Sequence, residues 1–417
     1  MFRLIYNIFI FIYPKLIALA SVRNLKAKQW IAGRKEVFQI LQNYFQYNTQ
    51  KVTWMHCASL GEFEQGRPVL EEMRLIHPDH KILLTFFSPS GYEIRKDYDG
   101  VDLVCYLPMD CKANAQKFFD IVNPSLVLFV KYEYWYYYLK EAKSRNNTTI
   151  LISAIFSSQQ IFFKWYGHIH REMLTYFTCI AVQNQESLEL LKGISGLNDV
   201  FISGDTRFDR VLDITNKSLN ISDIEKFINT RKVIVAGSTW TDDDKIIKDI
   251  SNNDKEYVYI IAPHDIGANR LQECLQFYQS SQLYSAWLTN PYPQTKVLII
   301  DNIGMLSSLY KYATIAIIGG GWGKDGIHNI LEAAVYYKPL IFGPVYDKYF
   351  EAKEIIEAGG GFSVDNLLQL KDLLHKLTND PLFYKSSSEK AGKFVLNRAG
   401  ATPEIINKIE TFSYPHK

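Results

Sequence analysis

The chain has 417 residues, 47% of them hydrophobic, and a formal net charge of +2 from 46 Lys and Arg against 44 Asp and Glu. This length predicts two or three domains with substantial cores, and the composition excludes a disordered chain. The near balance of charge argues against a wholesale nucleic-acid coat, although it is compatible with a local basic patch. No nucleic-acid partner is predicted.

The five cysteines are odd in number and form no CxxC pair, which argues against a disulfide framework or a structural zinc site. We expect reduced thiols in a cytosolic compartment. The sequence also lacks an HExxH motif and an evident Cys/His ligand set, so no metal and no cofactor are predicted. The cysteines are Cys57, Cys105, Cys111, Cys179 and Cys274.

Residues 4–20 form an apolar run interrupted only by Asn7, Pro14 and Lys15. As a helix this run would rise about 25 Å, short of a ~30 Å hydrocarbon core, and a lysine deep in a membrane costs about 2.5–3.5 kcal/mol. The basic stretch 23–35 follows and is typical of a cytoplasmic flank. Three interpretations stay open: a membrane anchor or interfacial helix, a buried core helix, and a cleaved signal sequence.

From residue 52 onward, short apolar runs alternate with amphipathic segments such as Glu62–Ile76, Ala113–Ile121 and Ser187–Leu191. This alternation predicts βαβ units, and two series of five strands predict two doubly wound, Rossmann-like parallel-sheet domains. The predicted strands are Val52–Ala58, Lys81–Phe86, Leu126–Val130, Thr149–Ala154 and Cys179–Val182, then Val233–Ala236, Tyr257–Ala262, Val297–Ile300, Thr314–Ile318 and Pro339–Phe342.

The stretch between residues 208 and 232 is polar and linker-like, and it predicts a domain boundary. We therefore expect a membrane-associating segment 1–35, an N-terminal domain 36–210 and a C-terminal domain 211–390. A final helical segment, 391–417, is expected to pack back on the N-terminal domain. In such folds ligands bind beyond the carboxyl ends of the strands, so chemistry is sought there.

The sequence Ser59-Leu60-Gly61-Glu62 follows the first predicted strand and opens a helix. The Ser-x-x-Glu spacing is typical of a capping box, in which Ser59 and Glu62 satisfy backbone donors. Alternatively, Glu62 is a general base at a strand-to-helix turn, with Gly61 letting a ligand approach the backbone. Both interpretations stay open from spacing alone.

A glycine-rich loop at 319–332 follows the predicted strand Thr314–Ile318 and precedes a helix. Five glycines in eight residues favour a loop that exposes amide groups to a phosphate, although it is neither a Walker A loop nor GxGxxG. Glu332 lies one helical turn beyond His328, so both can face one ligand. The alternative is a helix cap formed by Asn329 and Glu332.

Three further segments end predicted strands, and each has a structural alternative. Gly237-Ser238-Thr239 is placed to bind a phosphate or to cap a helix, and His264 to contact a phosphate or sugar or to serve the fold. In the segment Lys131–Trp135, Glu133 is either a carboxylate in a cleft or part of an aromatic rim.

The order and spacing of five blocks resemble those of the 3-deoxy-D-manno-octulosonic acid (Kdo) transferases of lipopolysaccharide assembly, from about residue 50 to residue 350. Each block is weak alone, but five in order are specific. The blocks are Ser59–Glu62, Glu133–Trp135, Gly204–Asp209, Gly237–Thr239 and Gly326–Glu332.

The resemblance implies a GT-B glycosyltransferase, with two Rossmann-like domains around a central cleft. It implies inverting, metal-independent transfer of Kdo from CMP-Kdo to a lipid A precursor (lipid IVA) at the cytoplasmic face of the inner membrane, where phospholipid is a further partner. The domain 36–210 would bind the acceptor and 211–390 the donor. Glu62 would be the catalytic base, and Glu133 is placed with it in the catalytic group.

Donor binding is assigned, by the same resemblance, to twelve positions. They are Ser59, Gly61, Arg207, Ser238, Thr239, His264, Gly304, Met305, Leu306, His328, Asn329 and Glu332.

The chain departs from the family pattern at several of these blocks. Pro263-His264-Asp265 stands where the family has Pro-Arg-His, and Gly304-Met305-Leu306 where it has Gly-Glu-Leu. Lys131, Tyr136 and Ile327 replace an expected Glu, Pro and Gly. Two alternatives therefore stay open: a GT-B enzyme with a UDP-sugar donor, either transferase or epimerase, and a non-catalytic membrane-associated scaffold.

Overall fold

The structure, a computed structural model, describes residues 2–217 and 220–413. It divides into two compact units, which we call unit 1 (Met1–Arg210 with Ala399–Lys417) and unit 2 (Val211–Arg398). Met1, residues 218–219 and residues 414–417, which fall in the predicted segments 1–35, 211–390 and 391–417, lie outside the described residues.

Each unit contains a seven-stranded sheet whose paired strands are all parallel. The strands are β1 (Val52–Cys57), β2 (Lys81–Phe86), β3 (Leu103–Tyr106), β4 (Leu126–Val130), β5 (Thr148–Ala154), β6 (Cys179–Val182) and β7 (Asp199–Ile202) in unit 1, and β8 (Lys232–Thr239), β9 (Tyr257–Pro263), β10 (Ser281–Leu283), β11 (Val297–Ile299), β12 (Ile315–Ile318), β13 (Leu340–Phe342) and β14 (Gly361–Ser363) in unit 2. The orders are β3-β2-β1-β4-β5-β6-β7 and β10-β11-β9-β8-β12-β13-β14. These two doubly wound sheets confirm the predicted fold class.

Helices connect the strands and flank them at both termini. They are α1 (Phe2–Ala20), α2 (Leu25–Ala32), α3 (Val37–Phe45), α4 (Leu60–Ile76), α5 (Pro89–Arg95), α6 (Lys112–Val122), α7 (Tyr136–Ser144), α8 (His168–Leu174), α9 (Gln185–Lys192), α10 (Thr206–Lys217), α11 (Ser222–Ile228), α12 (Thr241–Ser251), α13 (Ala268–Phe277), α14 (Tyr284–Thr289), α15 (Leu306–Leu309), α16 (Leu331–Ala334), α17 (Phe350–Ala358), α18 (Leu367–Asn379), α19 (Pro381–Leu396) and α20 (Ala401–Ser413).

The central strands are continuous apolar runs because helices cover both faces of each sheet. In unit 1, Trp54 of β1 packs on one face with Phe118 and Phe129. The next residue, Met55, belongs to a second core on the opposite face, which includes Ile405 of α20. The last helix of the chain therefore completes the core of unit 1.

The four strands that the sequence did not predict are the edges of the two sheets. β3, β7, β10 and β14 are three or four residues long, and most of their side chains are only half-buried. Edge strands pair on one side and carry less apolar sequence, so a search for buried runs misses them.

Each sheet reverses its strand order next to its first strand, between β1 and β4 in unit 1 and between β8 and β12 in unit 2. The carboxyl ends of these strand pairs form the crevice where doubly wound folds bind ligands. Ser59–Glu62 follows β1 and Lys131–Trp135 follows β4. Gly237–Thr239 ends β8, and the glycine-rich loop follows β12. The predicted blocks therefore lie at the two reversal points.

The first helix, α1, presents most of its apolar side chains to solvent. Leu4, Phe11 and Leu19 are 63%, 66% and 76% exposed. Only 6% of the apolar stretch Arg3–Ala20, of mean hydropathy 1.5, is buried, so the buried-core-helix interpretation is wrong. By length and composition this helix is able to cross a membrane.

A few side chains of α1 contact the rest of unit 1. The hydroxyl of Tyr6 donates to Asp110, and the hydroxyl of Tyr137 donates to Asn7 Oδ1 at 2.7 Å. Tyr13 packs edge-on against Trp30 of α2, with ring centroids 5.7 Å apart. The helix therefore contacts the rest of unit 1 through Tyr6, Tyr13 and the buried Ile10, while most of its other apolar side chains are exposed, unlike a surface helix in a soluble domain.

One basic residue of the stretch 23–35, Arg34, stabilises the fold. Arg34 donates to the carbonyl oxygens of Leu107 at 3.0 Å and Phe87 at 2.7 Å, and its guanidinium lies 3.9 Å from the Trp30 ring centroid. Burial lowers the pKa of Arg34 to about 9. Arg34 is thus held by backbone carbonyls, and the exposed cations of this stretch are neighbours such as Lys26 and Lys35.

Candidate active site

The turn from β1 into α4 places Glu62, half-buried, at the carboxyl edge of the unit 1 sheet. Ser59 occupies the N-cap position, yet its side chain makes no capping hydrogen bond, so the capping-box interpretation is wrong. The Ser59 hydroxyl donates to the Glu62 carboxylate instead. A Cβ at exposed Gly61 would meet only Ser59 Oγ, at 3.8 Å, so the fold itself does not require glycine there.

Glu133 lies in the segment that follows the neighbouring strand β4, and it is only 6% exposed. Its Oε2 lies 2.9 Å from His56 Nε2, and it also accepts a hydrogen bond from Trp135 Nε1 at 2.5 Å. His56, fully buried on β1, was not identified from the sequence. A lone histidine within an apolar strand gives no signal until the sheet places β4 beside β1.

A hydrogen-bonded chain fixes the proton positions around His56. Trp54 Nε1 donates to Thr85 Oγ1 at 2.8 Å, and the same hydroxyl lies 2.8 Å from His56 Nδ1. Because a carboxylate only accepts hydrogen bonds, the contact to Glu133 requires a proton on Nε2, and the Trp135 indole, 3.0 Å from the same nitrogen, donates to Glu133. Glu133 is therefore a carboxylate oriented by two N–H donors.

Negative charge gathers around the end of β1. Burial, followed by the charges of Glu62 and Glu133, raises the pKa of the Cys57 thiol well above its ordinary value. Cys57 therefore stays protonated, and it is too inert to serve as a nucleophile. Burial and the charge of Glu62 raise the pKa of Tyr132, while Arg207 lowers it, so Glu62 and Arg207 act on the same side chain.

Arg207, predicted to contact the donor, lies in unit 1 on the first turn of α10. Its Nη2 and Nε lie 2.7 Å and 2.9 Å from Asp205 Oδ2, and its backbone N–H donates to Asp205 Oδ1 at 2.9 Å. Part of the positive charge of Arg207 is thus already compensated by a neighbouring carboxylate.

In unit 2, the glycine-rich loop folds around the carboxylate of Asp243, which is fully buried. Asp243 accepts hydrogen bonds from the backbone N–H groups of Gly320 and Trp240, each at 2.7 Å, and of Trp322 at 3.3 Å. The sequence predicted that loop amides would bind a phosphate, but an internal carboxylate occupies these donors.

The glycine density of this loop has a packing cause as well. A Cβ at Gly321 would lie 2.5 Å from the backbone nitrogen of Gly343, closer than real Cβ contacts. Gly320 has φ of +91°, and a Cβ there would lie 2.2 Å from the carbonyl oxygen of Gly326. Close approach of backbone segments therefore requires glycine at these two positions.

His328 leaves this loop as part of an aromatic stack. Its ring stacks on His264, with centroids 4.4 Å apart, and the Trp240 ring also packs against His264, with centroids 4.6 Å apart. Burial and the nearby His264 lower the pKa of His328 to about 4, so the ring is neutral near pH 7. Trp240 Nε1 donates to His328 Nε2 at 3.1 Å, which places the ring proton on Nδ1 as an available donor.

The other predicted donor-site residues of unit 2 lie around the same edge. Asn329 Nδ2 donates to Glu332 Oε1 at 3.1 Å, and Asn329 Oδ1 accepts from the Leu331 N–H at 3.1 Å. This is a turn before α16 and not the predicted cap, because the N-cap residue of α16 is Ile330. The charge of Glu332 contributes to the raised pKa of Tyr310, after burial. A Cβ at Gly237 would meet the Tyr310 hydroxyl and side chain of Leu306, so β8 lies against these residues.

The last two residues of β8, Ser238 and Thr239, place their hydroxyl groups in unusual environments. Ser238 has φ of +54°, in the left-handed region, and interrupts the β8–β9 register. The Oγ1 of Thr239 is buried and has no hydrogen-bond partner among the described residues. Such strain and such an orphaned hydroxyl are characteristic of ligand sites. Gly304 and Met305 directly precede α15, and Gly304 has φ of +95°.

One group of possible metal ligands was not predicted from the sequence. His77, Asp79 and His80 offer ligand atoms within 4.8 Å of one another in the α4–β2 connection. The two imidazoles stack 4.5 Å apart, and His77 Nε2 already bonds Glu410 Oε1 at 2.7 Å. This connection enters β2 and so lies at the amino edge of the sheet, opposite the edge that carries Glu62 and Glu133.

Similarity to known proteins extends over both units. Residues 33–210 match the family described as 3-deoxy-D-manno-octulosonic-acid transferase (kdotransferase). A 3-deoxy-D-manno-octulosonic acid transferase of Aquifex aeolicus is 28% identical over 352 residues, covering 82% of this chain and 91% of that protein. A bifunctional glycosyltransferase/methyltransferase of Fusobacterium nucleatum is 27% identical over 388 residues, covering 89% of this chain. The chain spans only 59% of that second relative's length.

Solved structures extend the similarity to the fold. A glycosyltransferase from Rickettsia africae superimposes with a TM-score of 0.57 at 15% identity, covering 88% of this chain and all of that one. At this identity the superposition concerns the fold alone. It is the GT-B arrangement of two parallel-sheet units that the sequence predicted.

Proposed function

We propose that the chain is a member of the Kdo transferase family and that it transfers Kdo from CMP-Kdo to a lipid A precursor, lipid IVA, in lipopolysaccharide biosynthesis. The observation that carries the proposal is the pair of carboxylates at the reversal point of unit 1: Glu62, half-buried with Ser59 donating to it, and Glu133, oriented by His56 and Trp135. A glycosyl acceptor needs such a base, because its hydroxyl must lose a proton as it attacks.

In this proposal Glu62 is the catalytic base. An acceptor hydroxyl oxygen bonds to the anomeric carbon of Kdo while the bond from that carbon to the CMP phosphate breaks, and the hydroxyl proton passes to Glu62. Attack opposite the leaving group inverts the anomeric configuration. Glu133, held in one orientation by two N–H donors, orients a second acceptor or sugar hydroxyl by accepting its hydrogen bond.

Unit 2 is proposed to bind the CMP part of the donor. The neutral His328 ring has a proton on Nδ1 to donate, and Ser238 and Thr239 supply hydroxyls at the end of β8. Asn329 and Glu332 are suited to ribose hydroxyls, since a carboxylate accepts two hydrogen bonds. These neutral donors support transfer without a bound metal ion, and full activity in excess EDTA is the expected result.

The remaining predicted residues have smaller proposed roles on the donor side. Gly61 leaves room for a ligand beside Glu62, and Arg207 adds positive charge near it. His264 stacks on His328 and keeps its ring in place. Gly304, Met305 and Leu306 contribute backbone groups, because the side chain that the family uses there is absent.

We place the enzyme at the cytoplasmic face of the inner membrane, on phospholipid. The apolar face of α1 points away from the rest of unit 1, while Tyr6, Asn7 and Tyr13 contact other elements of unit 1. These contacts favour a helix that lies in the membrane interface over one that crosses it. Deleting residues 1–22 is expected to move the protein to the soluble fraction, and an unchanged distribution would place the anchor elsewhere.

Radiolabelled Kdo transfer from CMP-Kdo to lipid IVA tests the activity directly, and it also counts the Kdo units added. Thermal unfolding in CMP or UDP identifies the nucleotide, because a ligand of the native state raises the melting temperature. We expect transfer, and stabilisation by CMP. Stabilisation by UDP alone would favour a UDP-sugar enzyme, and neither transfer nor stabilisation would favour a scaffold.

A further inference from the structure

A cavity of about 410 Å³ lies between α1 and the segment that joins β3 to α6. Its size is within the range of small-molecule sites, and every lining residue belongs to unit 1. The lining residues are Asn7, Ile10, Phe11, Pro14, Met109, Asp110, Cys111, Lys112 and Tyr137.

The cavity walls are mainly apolar, and they continue into the outward face of α1. Ile10 and Pro14 line the cavity, while Phe11, which also lines it, is 66% exposed beside Leu4 and Leu19. An apolar chain entering the cavity from a membrane would therefore remain in contact with apolar surface along its whole path.

The buried polar group of the cavity already has its partners. Asp110 accepts hydrogen bonds from the backbone N–H groups of Tyr137 and Tyr138, both at 3.0 Å, and from the Tyr6 hydroxyl. An apolar occupant would therefore leave no carboxylate unsatisfied, which is the usual penalty for filling a polar cavity with hydrocarbon.

The cavity is connected to the carboxylates by one short helix. Asp110 binds the first turn of α7, whose N-cap residue is Trp135. The indole of Trp135 in turn donates to Glu133. The rim facing solvent carries exposed Lys112, a cation suited to the phosphate of an anionic lipid.

We propose that this cavity holds the end of one acyl chain of the lipid acceptor, and so positions the acceptor sugar for transfer beside Glu133. The inference rests on the proposed function, since it takes the acceptor to be an acylated sugar. It assigns to the α1–α6 region a role in choosing the acceptor, beyond holding the enzyme at the membrane.

Cys111 provides a probe inside the cavity. It is half-buried, whereas the other four cysteines are buried, so a maleimide should modify Cys111 first. In detergent, lipid IVA at ten times its dissociation constant should slow this modification about tenfold. Neither the deacylated headgroup nor phospholipid vesicles should do so. A Cys111→Ser, Asn7→Cys variant supplies a second probe on the cavity wall should Cys111 react too slowly.

Two tryptophan variants separate filling of the cavity from a change in membrane binding. Met109→Trp fills the cavity and should abolish protection by lipid IVA. Leu16→Trp, on the exposed apolar face of α1 and outside the cavity lining, should leave protection intact. Equal protection in both variants, or protection by the deacylated headgroup or by phospholipid, would overturn the proposal.

The labelling needs no CMP-Kdo, so its result is independent of transfer. Protection without Kdo transfer would overturn the proposed function and leave a site for acylated sugars. Transfer without protection would retain the function and reject the cavity as the acyl site.

Discussion

The reversal points of the two sheets have the same topology but opposite chemistry. In unit 1 two carboxylates follow the strand ends, half-buried Glu62 and buried Glu133, and the N–H donors of His56 and Trp135 are directed at Glu133. In unit 2 the carboxylate, Asp243, is turned inward and binds the amides of its own loop. What unit 2 presents instead is an aromatic cluster of Trp240, His264 and His328.

This difference indicates a division of labour within one fold. Unit 1 holds groups that accept protons, whereas unit 2 holds neutral donors and flat rings suited to a nucleotide and its phosphate. The inward carboxylate accepts from the Gly320 and Trp322 amides of the glycine-rich loop, so these two donors are satisfied before any phosphate arrives. The comparison predicts that substitutions in unit 1 lower the rate of transfer, while those in unit 2 change stability and donor binding.

The largest effect is expected at Glu62. Glu62→Gln keeps the shape of the side chain but removes the base, so kcat should fall by about 10²–10⁴-fold with CMP binding unchanged. Glu64→Gln is the matched control, since Glu64 lies on the same helix and pairs with Arg95 at 2.7 Å. The measurement is initial-rate Kdo transfer, and wild-type turnover of Glu62→Gln would remove the base assignment.

The next effect concerns His56, a positioning residue that acts through Glu133. His56→Phe removes a hydrogen bond to a charged group, an interaction of about 1.5–3 kcal/mol, so kcat should fall by about 10–150-fold. The KM for CMP-Kdo should stay near wild type, because His56 does not contact the donor. His56→Gln retains an amide donor and should recover part of the rate. An increase in KM with kcat unchanged would instead point to a structural role.

Sequence patterns predicted the central strands and the blocks at both reversal points, because buried parallel strands are continuous apolar runs and their ends carry the functional loops. The edge strands such as β10 escaped, since they are short and half-buried. His56 and Asp243 escaped for another reason: each acquires its partners only when distant strands meet, Glu133 for His56 and Gly320 for Asp243. The glycine-rich loop was predicted to bind a phosphate through its backbone amides. The sequence gives no sign that Asp243 accepts hydrogen bonds from two of these amides.

A smaller effect, on stability, is expected from Asp243. Asp243→Asn replaces an acceptor oxygen by an amide group that faces backbone N–H donors, so the free energy of unfolding should drop by about 1–3 kcal/mol. Asp242→Asn is the matched control on the same helix turn, since Asp242 is exposed and pairs only with Lys245 at 2.8 Å among the interactions described; it should change stability by less than about 0.5 kcal/mol. Urea denaturation measures both, and equal midpoints would mean that the loop does not depend on its internal carboxylate.

The last effect is a pH dependence of stability, and it arises from His328 in unit 2. The pKa of His328 in the folded chain is about 4, whereas an unfolded histidine titrates near ~6.5. Between these values the unfolded state binds a proton that the native state does not, so the stability contributed by the neutral ring is complete above about pH 6.5 and is lost as the pH falls toward about 4. His328→Gln lacks this titration, and its amide oxygen can still accept from Trp240. Urea midpoints of both proteins from pH 7.5 to 4.5 should therefore show wild type losing stability relative to the variant as the pH falls, while a constant difference would mean that folding does not lower the pKa of His328.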